Sequence, residues 1–177
     1  MNQLRLDKLT YREKQVLTEI IKNCKISDQE IARKLKTSRP TIVKIRKRLE
    51  EKEFLKGYSP IVDFKKLGLT IHTVILYRWR DYSKTEELAH VINFIKAQPE
   101  VLLFVKGEGV GSKTDLLICL HKDLIEYETF IRRLKYEWKD NVEGVEVFLS
   151  SVDGMFKNYD LASVALNALQ EKVIQTK

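Results

Sequence analysis

The chain has 177 residues and 44% apolar content, enough for one medium domain or two small ones. No apolar run approaches the roughly 18–20 residues of a membrane span, and no short apolar segment follows a basic start, so neither a membrane partner nor a secretory signal is expected. The net charge is +7, and the two cysteines, Cys24 and Cys119, lie far apart with no CxxC or Cys/His cluster. A disulfide scaffold and a zinc finger therefore have no support, no cofactor or metal is expected, and a reducing cytoplasm is the default compartment.

The charge is unevenly placed. Residues 1–60 hold 16 Lys+Arg and 8 Asp+Glu, whereas residues 61–177 hold 16 and 17. Residues 33–48 carry eight basic side chains and no acidic one. A one-sided field of this kind attracts polyanions, with nucleic acid first and an anionic membrane second; a solvated helix face is the plainer alternative.

The first third reads as three short helices. Thr10-Tyr11-Arg12-Glu13 is a capping box, followed by Val16, Leu17, Ile20 and Ile21 at helical spacing. Ser27-Asp28-Gln29-Glu30 is a second capping box, opening a short helix with Ile31, Ala32 and Leu35 inward. Lys36-Thr37 is the turn, and Ser38 caps a third helix with Pro40 in its first turn. Ile42, Ile45 and Leu49 form the apolar stripe of that helix. This is a helix-turn-helix arrangement, whose last helix enters the major groove. The stripe leaves Arg39, Val43, Lys44 and Lys47 on the opposite side, with Ser38 and Thr41 at the helix start. Arg46 and Arg48 flank the stripe and are assigned to the DNA backbone. These eight residues are the expected DNA-binding set. Residues 58–62 read as a strand able to flank the helices as a wing, and Lys65 to Gly68 as a turn.

The rest repeats a pattern. Strands are expected over 71–79, 101–106, 116–120 and 145–152. Helices are expected over 85–97, with Leu88, Val91, Ile92 and Ile95 inward, and over 124–138, with Leu124, Tyr127, Ile131, Leu134 and Trp138 inward. The order β-α-β-β-α-β is the ferredoxin-like layout, with helices on one sheet face and a second subunit as the simplest cover for the other. The fold class is α+β: an N-terminal (winged) helix-turn-helix domain, residues 1–56; strand and linker, 57–69; a ferredoxin-like βαββαβ domain, 70–153; and a helical extension, 154–177. Leu161, Val164, Ala165, Ala168 and Leu169 form the apolar face of that extension. It is expected to pack on its own domain, with a subunit contact as the second choice.

The ordered set Leu6-Asp7, Ile31-Ala32-x-x-Leu35, Ser38, Thr41-Ile42, Leu49-Glu50, Gly57-Tyr58, Val62-Asp63 and Leu67-Gly68 resembles the Lrp/AsnC (feast/famine) family of transcription regulators. So do Pro99-Glu100-Val101, Asp115-Leu116-Leu117, Tyr127-x-x-Phe130 and Gly144-Val145, which follow in the family's order. The resemblance spans about residues 4–153. It implies a sequence-specific regulator of double-stranded DNA that forms a homodimer or higher homo-oligomer and, in many members, takes an amino acid effector between dimers. The chain departs from the family at Glu53, where a glycine is usual, at Ile45-Arg46, where an arginine precedes an aliphatic residue, and in the long loop 107–114. GxGxG in that loop is not a nucleotide turn, because a strand follows it. The loop is either a long hairpin connection or the neighbourhood of an effector, for which Gly107, Gly111, Asp115 and Ser150 are the candidates.

Two other functions compete. Some proteins of this layout act as decarboxylases in haem synthesis, but His72, His90 and His121 stand at no motif spacing, and no catalytic residue is assigned. A ligand sensor that has lost DNA binding is the other, with Glu53 in its favour and the basic cluster against it.

Overall fold

The computed structural model describes residues 9–157, 159 and 161–170. Leu6-Asp7 and the end of the C-terminal extension lie outside them. The chain divides into two compact units, 1–61 with 157–177, and 62–156.

The first unit starts with three helices, α1 (Tyr11–Lys22), α2 (Asp28–Lys34) and α3 (Arg39–Glu51). Both capping boxes form: Thr10 and Ser27 accept from the amides of Glu13 and Glu30, whose carboxylates reach back to the cap amides. Burial pushes the Glu13 carboxyl up, but hydrogen bonds from Lys52 and Thr10 outweigh it and leave the group below its ordinary value. Val16, Leu17 and Ile20 of α1, Ile31 and Ala32 of α2, and Ile42, Ile45 and Leu49 of α3 share one core. Each such aliphatic side chain, fully buried, contributes about 1.5–3 kcal/mol.

Helices α2 and α3 end alike. The amides of Lys36 and Thr37 bond the carbonyls of Arg33 and Ala32, and those of Glu53 and Phe54 bond Glu50 and Leu49. This pairing is the Schellman motif, which places its C′ residue in the left-handed region. Lys36 has φ 49° and Glu53 φ 58°. The glycine expected by resemblance at position 53 therefore has a physical reason, and Glu53 occupies its conformation.

The wing strand expected over 58–62 is not formed. Residues 55–63 carry neither helix nor strand, and among the described residues of this unit no strand offers a ladder to pair with. Pro60 also lacks a ladder donor. Helix α6 (Leu161–Gln170) belongs to this unit, packs on α1 and buries Leu169 in its core. The extension is expected to pack on its own domain, and the unit it packs on is the helix-turn-helix one. Its face is corrected: Leu161 and Val164 are 77% and 64% exposed, while Ala162, Ala165 and Leu166 are half-buried. The choice of inward face follows α1, which the sequence pattern alone does not identify as the partner.

The second unit is β1 (Ile71–Trp79), α4 (Thr85–Lys96), β2 (Val101–Lys106), β3 (Asp115–His121), α5 (Leu124–Trp138) and β4 (Val142–Ser151). The strands are antiparallel in the order β2-β3-β1-β4, the ferredoxin-like arrangement. β4 begins three residues earlier than expected. Gly144, which reads as a breaker, is accommodated at φ 58° beside a register shift between Leu76 and Arg78. Ile75, Tyr77, Leu117 and Cys119 face Val91 and Ile95 of α4 and Phe130, Leu134 and Trp138 of α5. Phe130 takes the core position that helical spacing assigns to Leu124, which is 50% exposed at the helix start.

On the opposite sheet face, Val74 and Leu76 pair with Ile118 and Leu116, flanked by Leu103, Val105 and Phe148. This face is apolar, and no element of the described unit covers it; Phe148 is 66% exposed.

Glu53→Gly removes a left-handed penalty of about 1–2 kcal/mol and adds a smaller unfolded-chain entropy. A net gain of about 0.5–1 kcal/mol is expected, read as a higher urea midpoint at unchanged slope. A lower midpoint would show that the Glu53 side chain does more than fill the turn.

Candidate nucleic-acid interface

Helix α3 starts from a cap built of two hydroxyls. Ser38 Oγ accepts the Thr41 amide at 3.3 Å, and the two side-chain oxygens share a hydrogen bond of 2.7 Å. Both residues are exposed, so these hydroxyls stand at the surface over the helix start. Pro40 in the first turn removes an amide that would have had no intrahelical partner.

Burial of Ile42, Ile45 and Leu49 turns Arg39, Val43, Lys44, Lys47 and Arg48 outward. Among the described residues Arg39, Lys44 and Arg48 have no acidic partner, while Lys47 lies 3.8 Å from Glu51 in an exposed pair of little strength. Some other cations of the unit are engaged. Lys34 meets Glu19 at 2.7 Å, and Lys52 meets Glu13 at 2.9 Å. The outer side of α3 thus carries three cations, Arg39, Lys44 and Arg48, with no acidic partner among the described residues.

Arg46 stands apart from the expected set. Its Nε donates to Asp28 Oδ1 at 2.7 Å, one terminal nitrogen donates to Tyr58 Oη at 2.7 Å, and the other to the Ile26 carbonyl at 3.3 Å. The Tyr58 hydroxyl in turn donates to Glu50 at 3.3 Å. The guanidinium thus joins the start of α2, the middle of α3 and the chain beyond it. Neither the charge run nor the helical spacing signals this role. The partners lie 18 and 12 residues away in opposite directions, and the one hint is the exchange of arginine and aliphatic residue at 45–46.

The effector candidates divide. The β2–β3 loop is closed by Gly107 N donating to Thr114 O and Gly109 N to Lys113 O, both at 2.8 Å. Gly111 sits in its 3-10 turn at φ 64°. Gly107 and Asp115 line a cavity of about 170 Å³ with Leu76, Val105, Gly109 and Lys113. Burial raises the Asp115 carboxyl above its ordinary value, against a 2.6 Å hydrogen bond from the Thr114 hydroxyl. Lys113, which no sequence signal marks out, is 7% exposed and meets Glu146 at 2.7 Å. Ser150 is not brought to this cavity. It pairs with His72, whereas Asp115 pairs with Tyr77, five residues along β1 (72 to 77) or roughly 16 Å away. There it shares a 3.2 Å hydrogen bond with His72 Nδ1.

The histidines do not meet either. His72 lies beside Ser150, His90 pairs with Glu137 at 2.9 Å, and His121 is buried against Tyr127 and Phe130. Burial holds the imidazoles of His72 and His121 below their usual value. Among the described residues no helix is long and apolar enough to cross a membrane.

Residues 9–56 match the winged helix-turn-helix DNA-binding family. No curated protein matches the chain in sequence. Solved structures do match it in shape. An AsnC-family transcriptional regulator from Agrobacterium tumefaciens superposes with a TM-score of 0.72 at 16% identity, over 85% of this chain and 92% of its own. The chain has the two-domain fold of the AsnC-family regulators. The AsnC protein of E. coli gives a TM-score of 0.67 at 14% identity, over 86% of this chain and 98% of its own. A transcriptional regulator from Neisseria meningitidis in complex with L-Met gives 0.70 at 17% identity, over 85% and 93%. Within the AsnC fold, the helix-turn-helix is the N-terminal unit and the ferredoxin-like sheet is the second.

Arg46→Met leaves Asp28 and the Ile26 carbonyl without their donor. Stability is expected to fall by about 1–3 kcal/mol, whereas Lys44→Ala, fully on the surface, stays within about 0.5 kcal/mol. Urea unfolding of both variants checks the contrast; equal midpoints would remove Arg46 from the frame of the helix-turn-helix.

Proposed function

We propose that this chain is a sequence-specific, double-stranded-DNA-binding transcription regulator of the Lrp/AsnC type, working in the cytoplasm as a homodimer or higher homo-oligomer. The observation that carries this reading is the outer face of α3, whose Arg39, Lys44 and Arg48 have no acidic partner among the described residues and stand on a helix-turn-helix scaffold. In the major groove, Ser38, Arg39, Thr41, Val43 and Lys44 meet base edges and nearby phosphates, and Lys47 and Arg48 meet the backbone. Arg46 is assigned instead to holding α3 in place.

The dimer forms through the open sheet face. Val74, Leu76, Leu103, Val105, Ile118 and Phe148 make a contiguous apolar surface, the kind of patch that marks an interaction site. An amino acid or other small effector binds by the 107–114 loop, where Gly107, Asp115 and the small cavity lie together. The L-Met complex of the Neisseria regulator supports that class of ligand. Gly111 shapes the loop, and Ser150 drops out of the set. The decarboxylase alternative gains nothing from the structure, since its candidate histidines occupy three separate environments.

The DNA reading is tested by selecting sites from random duplexes and then titrating salt. A dimer that neutralises about 6–10 phosphates loses roughly 10³–10⁵ in affinity between 50 and 200 mM salt. Lys47→Ala and Arg48→Ala should each flatten the salt slope by about 1 for every phosphate no longer neutralised. Arg46→Met should weaken binding with the slope unchanged. Binding that ignores Arg39→Ala and Lys44→Ala together would favour a sensor that has lost its DNA function.

The dimer reading has its own check. Phe148→Asp places a charge on the open face, beside Val74, and sedimentation equilibrium should then report monomer at concentrations where the parent is dimeric. A dimer that survives this change lies elsewhere.

A further inference from the structure

Two cations that do not belong to α3 gather at the turn leading into it. Arg12 lies on α1, and one of its terminal nitrogens donates to the Leu35 carbonyl at 3.0 Å and to Gln15 Oε1 at 3.2 Å. Lys36 is the residue that follows Leu35, and both cationic side chains are exposed. The partners of Arg12 are neutral, so its charge is held in place without being cancelled. Neither Arg12 nor Lys36 has an acidic partner among the described residues, whereas Lys34, on the same stretch of chain, meets Glu19 at 2.7 Å.

Lys36 stands where the backbone favours glycine, at φ 49°. The turn itself does not need a lysine. It is closed by main-chain bonds, from the Lys36 amide to the Arg33 carbonyl at 3.3 Å and from the Thr37 amide to the Ala32 carbonyl at 2.9 Å. A cation is favoured at a helix C-terminus by the dipole. The turn that closes α3 has the same pairing at the same kind of helix end, yet carries Glu53 at φ 58°. The dipole therefore does not account for both side chains. What differs is place: Lys36 precedes the thirteen residues of α3, and Glu53 follows them.

That place has a meaning on DNA. The major groove is about 12 Å wide, and a helix with its side chains is about 10–12 Å across. A helix that fills the groove is entered by a chain that crosses the sugar-phosphate strand at its border. Lys36 Cα lies no more than about 7 Å from that of Ser38, the cap of α3. Arg12, bonded to Leu35, is held at the same crossing.

We propose that Arg12 and Lys36 form a phosphate-binding site at the α2–α3 turn, in which the guanidinium and the ammonium together hold one phosphate of the strand bordering the groove. The proposal rests on the DNA-binding reading above and adds a site to it. The contact contributes affinity without sequence choice, and it fixes where along the backbone α3 enters. A side chain at position 36 that opposes the local backbone preference is thereby explained by what it meets outside the fold.

The test compares the full chain with Lys36→Gly, Lys36→Asn, Lys36→Arg and Arg12→Met. Glycine and asparagine both accept the left-handed turn. Binding is followed by fluorescence anisotropy on two duplexes of equal length, one carrying a selected site and one of scrambled sequence, from about 50 to 200 mM salt. In a second series, single phosphates of the selected duplex are replaced one at a time by neutral methylphosphonates. Urea midpoints of all variants separate loss of binding from loss of folding.

Lys36→Gly and Lys36→Asn are expected to weaken both duplexes by the same factor, about fivefold, and to flatten the salt slope by about 1 for each half-site occupied. Arg12→Met should act in the same direction, and Lys36→Arg should stay within about twofold of the parent. The parent should lose about fivefold at one methylphosphonate position per half-site, and that position should become silent in Lys36→Gly and in Arg12→Met. The Lys36→Gly midpoint should be no lower than the parent's. An unchanged methylphosphonate map in these variants overturns the site even where affinity falls, since the turn then acts through the fold alone. A loss confined to the selected duplex overturns it as well, in favour of a base contact. A parent that binds neither duplex overturns the DNA-binding reading first, and the site with it. Binding that responds to Arg39→Ala and Lys44→Ala but not to the Arg12 and Lys36 variants removes this site alone.

Discussion

Burial of Ile42, Ile45 and Leu49 decides what α3 presents to the outside. Once those three positions face α1 and α2, the helical period leaves Arg39, Val43, Lys44 and Lys47 no inward option. Position 46 falls at the edge of the stripe, where a long side chain reaches sideways rather than out. Arg46 uses that reach to bond Asp28, which sits in the first turn of α2 where the helix dipole favours a carboxylate. The same packing separates cations that remain available from those compensated within the fold. Lys34, Lys52 and Arg46 are matched by Glu19, Glu13 and Asp28, while Arg39, Lys44 and Arg48 on the outer face of α3 keep no acidic partner among the described residues.

The second unit is governed by a different imbalance. Its strands are apolar on both faces, but α4 and α5 cover only one. Ile75, Tyr77, Leu117 and Cys119 are buried to 1% exposure or less, whereas Leu103, Val105 and Phe148 across the sheet remain 43–66% exposed. Alternation along β1 and β3 makes this unavoidable, because successive side chains point to opposite faces and both series are hydrophobic. Among the described residues of the unit nothing covers this second face. The cavity beside the 107–114 loop lies at one end of that same face, walled by Leu76 and Val105.

Local physics is legible in the sequence and distant pairing is not. The capping boxes at Thr10 and Ser27, the stripe of α3 and the bounds of β1, β2 and α5 follow from signals contained within a few residues, and the structure forms them where the pattern indicates. The failures share one cause. Arg46 reads as a backbone-binding cation because Asp28 and Tyr58 are invisible at its spacing. Apolar content alone phases α6 incorrectly, and with α1 as its partner the inward set shifts to Ala162, Ala165, Leu166 and Leu169. Leu124 and Phe130 exchange places for the same reason: both satisfy a helical period, and only packing against Leu117 and Cys119 selects between them. Ser150 resembles a ligand-site position in sequence order, but register sends it to the other end of the sheet.

Two residues of the helix-turn-helix, Lys36 and Glu53, hold a left-handed conformation without being glycine and show how firmly it is specified. Lys36 and Glu53 each accept a backbone conformation that disfavours a side chain by about 1–2 kcal/mol. They persist because the surrounding turns satisfy carbonyls that α2 and α3 otherwise leave open, and because Leu35, Phe54 and Leu55 close over the core beside them. α3 is therefore fixed at its start by the Ser38 cap, along its length by the apolar stripe, at its edge by Arg46 and at its end by the Glu53 turn. Four restraints of different chemistry converge on one helix. The linker begins at the last two of them, since Tyr58 follows the turn and bonds the guanidinium. The joint between α2 and α3 and the segment that follows α3 thus share one arginine, so the packing of α3 and the position of Tyr58 are not independent.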